Sequence, residues 1–389
     1  MICVGIETSC DETAVAVVKD GKTLLANVVA TSMDLHKAYG GVVPEIAARS
    51  HIESMMPVVD EALEVAFGPK KDGIDHWDKI DAIAVTYGAG LGGSLLVGVM
   101  TARTLAIIKK KPLYGINHVE AHVYANFLTE VKNDERRTKN EEGVAIAQNS
   151  KLKIQNSGTL GGKEYRFPSA QPEFPMLALI VSGGHTQLVL FRDHFDYDLL
   201  GQKRDDAIGE AFDKVAKIVG LPYPGGPSVA KSATKGDDKK YNFPKAKLDT
   251  KYDFSFSGVK TAVLRLAQKE IGEDFTFPSF KLAERLTEAQ KNDIAASFQR
   301  IAIETLVDKT VTAYEEFQPK SVVIAGGVAA SGELRKQLSE RLPIDIEYPD
   351  MKLCTDNGAM IATLGCYKAM LDQPTADPYS LSIEPNLSM

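Results

Sequence analysis

The chain repeats one short pattern, and that repeat limits the folds open to it. Val4-Gly5-Ile6-Glu7 is an apolar strand, Thr8 to Glu12 a tight polar turn, and Thr13 to Val18 a second apolar strand. About 170 residues later the design returns, as Leu177 to Val181, the turn Ser182-Gly183-Gly184-His185-Thr186, and Gln187 to Phe191. Apolar runs of this length joined by turn residues read as β-hairpins. Two hairpins of like design so far apart predict two lobes of similar fold facing one cleft. A length of 389 residues allows each lobe its own core.

Around these hairpins strands alternate with helices, the signature of an α/β chain. A third strand is expected at Thr23 to Ala30, a helix at Ile46 to Ala66, and a strand at Ile80 to Thr86. That strand runs into the glycine-rich turn Tyr87 to Ser94 and a helix from Leu95 to Lys110. Ser321 to Ala325, Gly326-Gly327-Val328-Ala329-Ala330-Ser331 and a helix from Gly332 to Arg341 form a second unit of the same kind. Strand, glycine turn and helix together bring backbone amides to an anion, and equally serve tight backbone packing. The divisions expected are a first lobe over 1–128, an insertion or linker over 129–175, a second lobe over 176–373 and a tail over 374–389. A small hairpin is expected around Val144 to Ile154.

Composition excludes some classes. A net charge of −7 argues against a surface that is one large phosphate trap, and Lys109-Lys110-Lys111 and the lysines from Lys231 to Lys251 read as solvated faces. No apolar run reaches the roughly 18 residues expected of a membrane span. Met1 to Ile6 enters a strand without a basic leader, so a cytoplasmic protein is expected. The four cysteines lack a paired spacing and read as reduced thiols.

The chemistry concentrates in a few places. His118 and His122 stand four apart, so on a helix both imidazoles project from one face, where they can share a divalent metal or simply form a polar face. Asp356, at a helix start in Cys354-Thr355-Asp356-Asn357-Gly358, is a natural third ligand. The turn Glu7 to Thr13 carries more hydroxyls and acids than a hairpin needs. It can present hydroxyls and amides to a phosphate, with Asp11 and Glu12 as candidates for proton handling. Glu120 lies two residues from each histidine and so points away from them, unlike the acid of a His-Glu-x-x-His protease.

The hairpins and the second glycine turn suggest the actin-like ATPase (ASKHA) architecture of two RNase H-like lobes with a ligand cleft between them. Seven motifs in order resemble one branch of it. They are Gly5 to Thr13, His118 to His122, Val181 to Leu188, Gly209 to Lys214, Tyr223 to Pro227, Phe254 to Gly258 and Cys354 to Ala359. Together they look like the tRNA N6-adenosine threonylcarbamoyltransferase family (TsaD, formerly Gcp), with only about 130 to 175 uncovered.

The resemblance implies a metal, iron or else zinc, on His118, His122 and Asp356. It implies substrate contacts from Ile180, Val181, Ser182, Gly183 and Gly184, with Asp213 and Gly226 on the ribose and adenine side. Ser331 stands where the family usually has Asn. The reaction implied is transfer of threonylcarbamoyl from threonylcarbamoyl-AMP to the adenosine beside the anticodon of tRNA. Partner proteins are implied too, an inactive paralogue (TsaB) and a small ATPase (TsaE) in a bacterium. Rival readings are a metalloprotease, an actin-fold small-molecule kinase and a non-catalytic scaffold.

Overall fold

The structure is a computed structural model that describes residues 1–36, 39, 41–70, 73–132, 156–346 and 348–389. The hairpin expected at Val144 to Ile154 lies outside the described residues. The chain divides into two compact units, Met1–Pro172 with Glu347–Met389, and Glu173–Ile346.

The first unit opens with β1 (Ile2–Glu7), β2 (Glu12–Lys19) and β3 (Thr23–Thr31), then α1 (Met33–His36) and α2 (Pro44–Phe67). It continues through β4 (Ala82–Gly88), α3 (Gly92–Lys109), β5 (Leu113–Asn117), α4 (His118–Tyr124), β6 (Glu130–Val131) and the pair β7 (Asn156–Leu160) and β8 (Lys163–Phe167). The second unit comprises β9 (Met176–Val181), β10 (Thr186–Asp193), β11 (Asp196–Gln202), α5 (Ile208–Val219), α6 (Gly225–Ala233), α7 (Ser257–Glu270), α8 (Leu282–Arg285), α9 (Glu288–Phe317), β12 (Ser321–Ala325) and α10 (Gly332–Arg341). The chain then returns to the first unit with α11 (Met351–Cys354) and α12 (Gly358–Met370).

The first sheet has the order β5-β4-β1-β2-β3-β6, with β1, β2 and β3 antiparallel and β4 parallel to β1. The second has the order β11-β10-β9-β12, again an antiparallel meander with a parallel neighbour to its first strand. The repeat seen in the sequence is therefore a repeat of topology. Both units carry the strand order expected of an RNase H-like lobe, as far as each sheet extends. β1 and β2 are apolar almost throughout because both faces of the sheet are covered. Val4, Ile6, Val15 and Val17 pack with α2 and α3 residues such as Val58, Ala62, Val99 and Ala102. The alternate residues meet α12: a Cβ on Gly5 would lie 2.2 Å from Ala362 N, and one on Gly358 2.5 Å from Ala16 N. Only glycine permits that approach.

This packing places residues 347–389 with the first unit, whereas the expected divisions put most of them in a second lobe. The stretch read as insertion or linker also carries structure, since β6 pairs with β3 and β7 with β8. Tyr165 and Phe167 are buried, and Arg166 and Asp350 join backbone to backbone and backbone to carboxylate. The tail has no long element, yet Arg103 clamps it by donating to the carbonyls of Pro378, Leu381 and Tyr379. Among the described residues α3 is the one helix long and apolar enough to cross a membrane. Its Leu95, Val99, Ala102 and Ala106 are buried.

Candidate functional site

Two asparagines set the geometry of a candidate metal site in the first unit. Asn117 is the N-cap of α4, its Oδ1 accepting from the amides of Val119 (2.9 Å) and Glu120 (3.4 Å). Asn357 does the same for α12, accepting from Ala359 (2.9 Å) and Met360 (3.1 Å). An Asn cap satisfies amides that a helix start leaves open, so each helix begins at a defined residue. His118 follows one cap and Asp356 precedes the other.

The result is a three-residue cluster. Asp356 Oδ1 lies 3.5 Å from His118 Nε2 and 3.3 Å from His122 Nε2. One nitrogen or oxygen from each residue falls within 4.8 Å of the others. Two ligand atoms about 2.1 Å from one ion at ordinary coordination angles stand about 3.0–3.4 Å apart, close to the two Asp356–histidine spacings. Two further observations support the fit. Both ring nitrogens of His122 are buried and make no hydrogen bond among the described residues. Burial, together with the nearby Asp356 and Asp11 carboxylates, raises the carboxyl pKa of Glu12. A cation would relieve both.

His118 is held from behind. Its Nδ1 lies 3.1 Å from Glu7 Oε2 and 3.1 Å from Ser9 Oγ. Burial lowers the imidazole pKa, but Asp356 and Glu7 outweigh it and carry it up to about 9. Glu7 responds in the opposite sense: burial raises its pKa, and His118 brings it below the usual carboxylate value.

The Thr8, Ser9 and Thr13 hydroxyls of the Glu7 to Thr13 turn each meet a partner within the protein. Thr8 Oγ1 donates to Ser94 O at 2.9 Å, and Thr13 Oγ1 lies 2.8 Å from His51 Nδ1. Ser94 Oγ and His51 Nε2 both hold Cys10 O. They fasten the turn. The glycine turn after β4 likewise serves packing, since Gly90 N donates to Pro385 O and Leu91 N to Ser9 O. Glu120 is buried, and its charged neighbour is Lys368 rather than the cluster. It has no place in a hydrolytic centre.

In the second unit the turn Ser182 to His185 sits between two glycines. A Cβ on Gly209 would lie 2.7 Å from Ser182 O, and one on Gly326 2.5 Å from Val181 O. Gly183 and Gly184 are exposed, with open space around their Cα atoms. Ile180 and Val181 are buried at the end of β9. Asp213 Oδ1 accepts from Gly225 N at 2.6 Å, which draws α5 to the start of α6 beside Gly226. Burial raises the Asp213 pKa and that amide opposes it. Ser331 is the N-cap of α10, its hydroxyl accepting from Leu334 N at 3.4 Å.

Three features escaped the sequence reading: Glu7 as a buried partner of His118, Arg103 as the clamp of the tail, and Asp205. Asp205 accepts from the hydroxyls of Ser255 and Ser257 and from the amides of Phe256 and Ser257. A carboxylate closing an apolar strand was the available sign of Glu7. Nothing local marks the other two.

The model of the family described as tRNA N6-adenosine threonylcarbamoyltransferase (TsaD) matches residues 23–136 and 162–363. The chain belongs to this family. A TsaD relative from Thermomicrobium roseum is 45% identical over 95% of this chain and 92% of its own length. One from Caldicellulosiruptor saccharolyticus is 42% identical over 100% and 98%, and one from Symbiobacterium thermophilum 45% over 94% and 91%. Each carries the name tRNA N6-adenosine threonylcarbamoyltransferase.

Proposed function

We infer that the protein is a tRNA N6-adenosine threonylcarbamoyltransferase, an acyltransferase that moves the threonylcarbamoyl group of threonylcarbamoyl-AMP to the exocyclic amine of the adenosine 3′ of the anticodon in tRNAs reading codons that begin with A. What carries this reading is similarity along nearly the whole chain to relatives of that name, with His118, His122 and Asp356 brought together. The peptidase alternative does not fit the position of Glu120, and no observation favours a kinase or a scaffold.

The amine nitrogen attacks the carbamoyl carbon, the bond from that carbon to the phosphate oxygen breaks, AMP leaves, and the amine loses a proton. His118, His122 and Asp356 would hold a divalent metal, Fe²⁺ by family resemblance or Zn²⁺. Such an ion supplies Lewis-acid polarisation and orients the mixed anhydride. Gly183 and Gly184 suit close approach of backbone to the phosphate, supported by the space around them. Ile180, Val181 and Ser182 support that turn, and Asp213, Gly226 and Ser331 are assigned to the nucleoside. Asp11 and Glu12 are assigned to the proton leaving the amine, on the strength of the carboxylate environment of Glu12.

The site of action is the cytoplasm, where unmodified tRNA is available. The partners proposed are a TsaB-like paralogue and a TsaE-like ATPase. Ile52, Met56, Leu96 and Met100, exposed along α2 and α3, support a helix-pair contact with the paralogue. Leu96→Asp should abolish co-elution with it. The deciding experiment supplies threonine, bicarbonate, ATP, the partner enzymes and unmodified tRNA, and measures the modified nucleoside by mass spectrometry. Activity in wild type and loss in His118→Ala is the expected result; no product from wild type overturns the reading.

A further inference from the structure

We propose that Glu7 is a positioning residue that dictates which nitrogen His118 offers to the metal. The proposal rests on the metal-centre reading of His118, His122 and Asp356. Glu7 ends β1 with a side chain that is 0% exposed. Its Oε1 accepts from Ser9 N at 2.5 Å. Its Oε2 accepts from Thr86 Oγ1 at 2.5 Å and faces His118 Nδ1 at 3.1 Å. Two strands and a turn therefore hold the carboxylate in one orientation.

An ionised carboxylate can only accept hydrogen bonds. His118 Nδ1 then keeps its proton, and Nε2, the nitrogen 3.5 Å from Asp356 Oδ1, is the one left to give up a proton and coordinate. Ser9 Oγ, also 3.1 Å from Nδ1, cannot make that choice, because a hydroxyl accepts or donates equally well. Among the described residues His122 has no such partner: its Nδ1 is buried without a hydrogen bond. One histidine of the pair is thus oriented from behind by a carboxylate, and the other has none behind its Nδ1 among the described residues. Carboxylates behind a ligating imidazole fix its tautomer and raise its basicity, and removing one costs about 10–100-fold in metal affinity.

The test uses the full chain and Zn²⁺, titrated in competition with a chromophoric chelator. Glu7→Gln should bind Zn²⁺ about 10–100-fold more weakly than wild type, Glu7→Asp should fall between them, and Ser9→Ala should stay within about threefold of wild type. Equal affinity in Glu7→Gln and wild type overturns the proposal while leaving the metal reading intact. Failure of wild type to bind Zn²⁺ overturns the metal reading itself. A measurement on wild type serves if Glu7→Gln does not fold. In ¹⁵N spectra of the Zn²⁺-loaded, histidine-labelled chain, the ring signal missing from His118→Ala should show Nδ1 protonated and Nε2 coordinated. The reverse pattern overturns the role of Glu7.

Discussion

The turn between β1 and β2 and the turn between β9 and β10 hold equivalent places in two sheets of the same topology, yet they are furnished in opposite ways. In the first, side chains dominate: Glu7, Thr8, Ser9 and Thr13 each bond to a residue distant in sequence. In the second, backbone dominates: Gly183 and Gly184 are exposed, and the turn is braced by its own Ser182–His185 bonds. A shared topology thus supports two kinds of site. One orders side chains beside the His118, His122 and Asp356 cluster, and the other leaves two glycines exposed. The same strand–turn–strand frame is used because it brings a turn to the end of the sheet where helices also begin.

The most severe way to break the first turn's proposed role is at the histidine cluster it supports. His122→Ala should remove bound metal and lower turnover by more than about a hundredfold, because losing a ligand costs more than losing the group behind one. Metal content by mass spectrometry and formation of the modified nucleoside check this. An active, metal-free variant would remove the metal from the mechanism.

The second turn is tested by a pair of glycines. Gly209→Ala would push a Cβ to 2.7 Å from Ser182 O and 2.8 Å from Gly183 Cα. Overpacking of this kind costs about 1–3 kcal/mol and displaces the turn. Gly183→Ala meets nothing within 4 Å. It should leave the melting temperature unchanged, so any loss of threonylcarbamoyl-AMP affinity reports contact with the ligand. Unchanged affinity in both variants would sever the turn from substrate binding.

How much of this could be read in advance follows from the range of the interactions. Hairpins, the His118–His122 spacing and the glycine turns are local patterns, and they lie in the structure where the sequence places them. The grouping of α12 with β1 was not legible, because it depends on Gly5 and Gly358 meeting partners hundreds of residues away. The partners of the hydroxyls in the first turn were hidden for the same reason. A serine or threonine beside a strand end reads as open to ligand until its distant partner, such as Ser94 or His51, is known.

Asp205 offers a smaller effect, confined to the second unit. Burial raises its pKa, but the bonds from Ser255, Ser257 and Phe256 outweigh this and hold it below the usual carboxylate value. A depressed folded pKa gives stability that is present above the unfolded value, near 4, and is lost as pH falls through the folded one. Asp205→Asn should cost about 1.5–3 kcal/mol at neutral pH. Its melting temperature and that of wild type should converge as pH drops below about 4. A constant gap would assign the effect to packing instead of charge.

The smallest effect separates the two units at their helix caps. Asn117 and Asn357 cap α4 and α12 through Oδ1 and still donate through Nδ2, to Ser388 O at 3.1 Å and to Thr355 O at 2.7 Å. Ser331 caps α10 with a hydroxyl, which accepts from Leu334 N and has one proton left to donate. Ser331→Asn should change stability by only a few tenths of a kcal/mol, since Asn and Ser are comparable N-caps. If the residue faces the nucleoside, the added amide should contribute about 0.5–1.5 kcal/mol, a gain of roughly 2–12-fold in threonylcarbamoyl-AMP affinity. Calorimetric titration of both proteins reads that gain directly. An affinity unmoved by the amide would make Ser331 a cap alone, and the nucleoside would then rest on Asp213 and Gly226 without it.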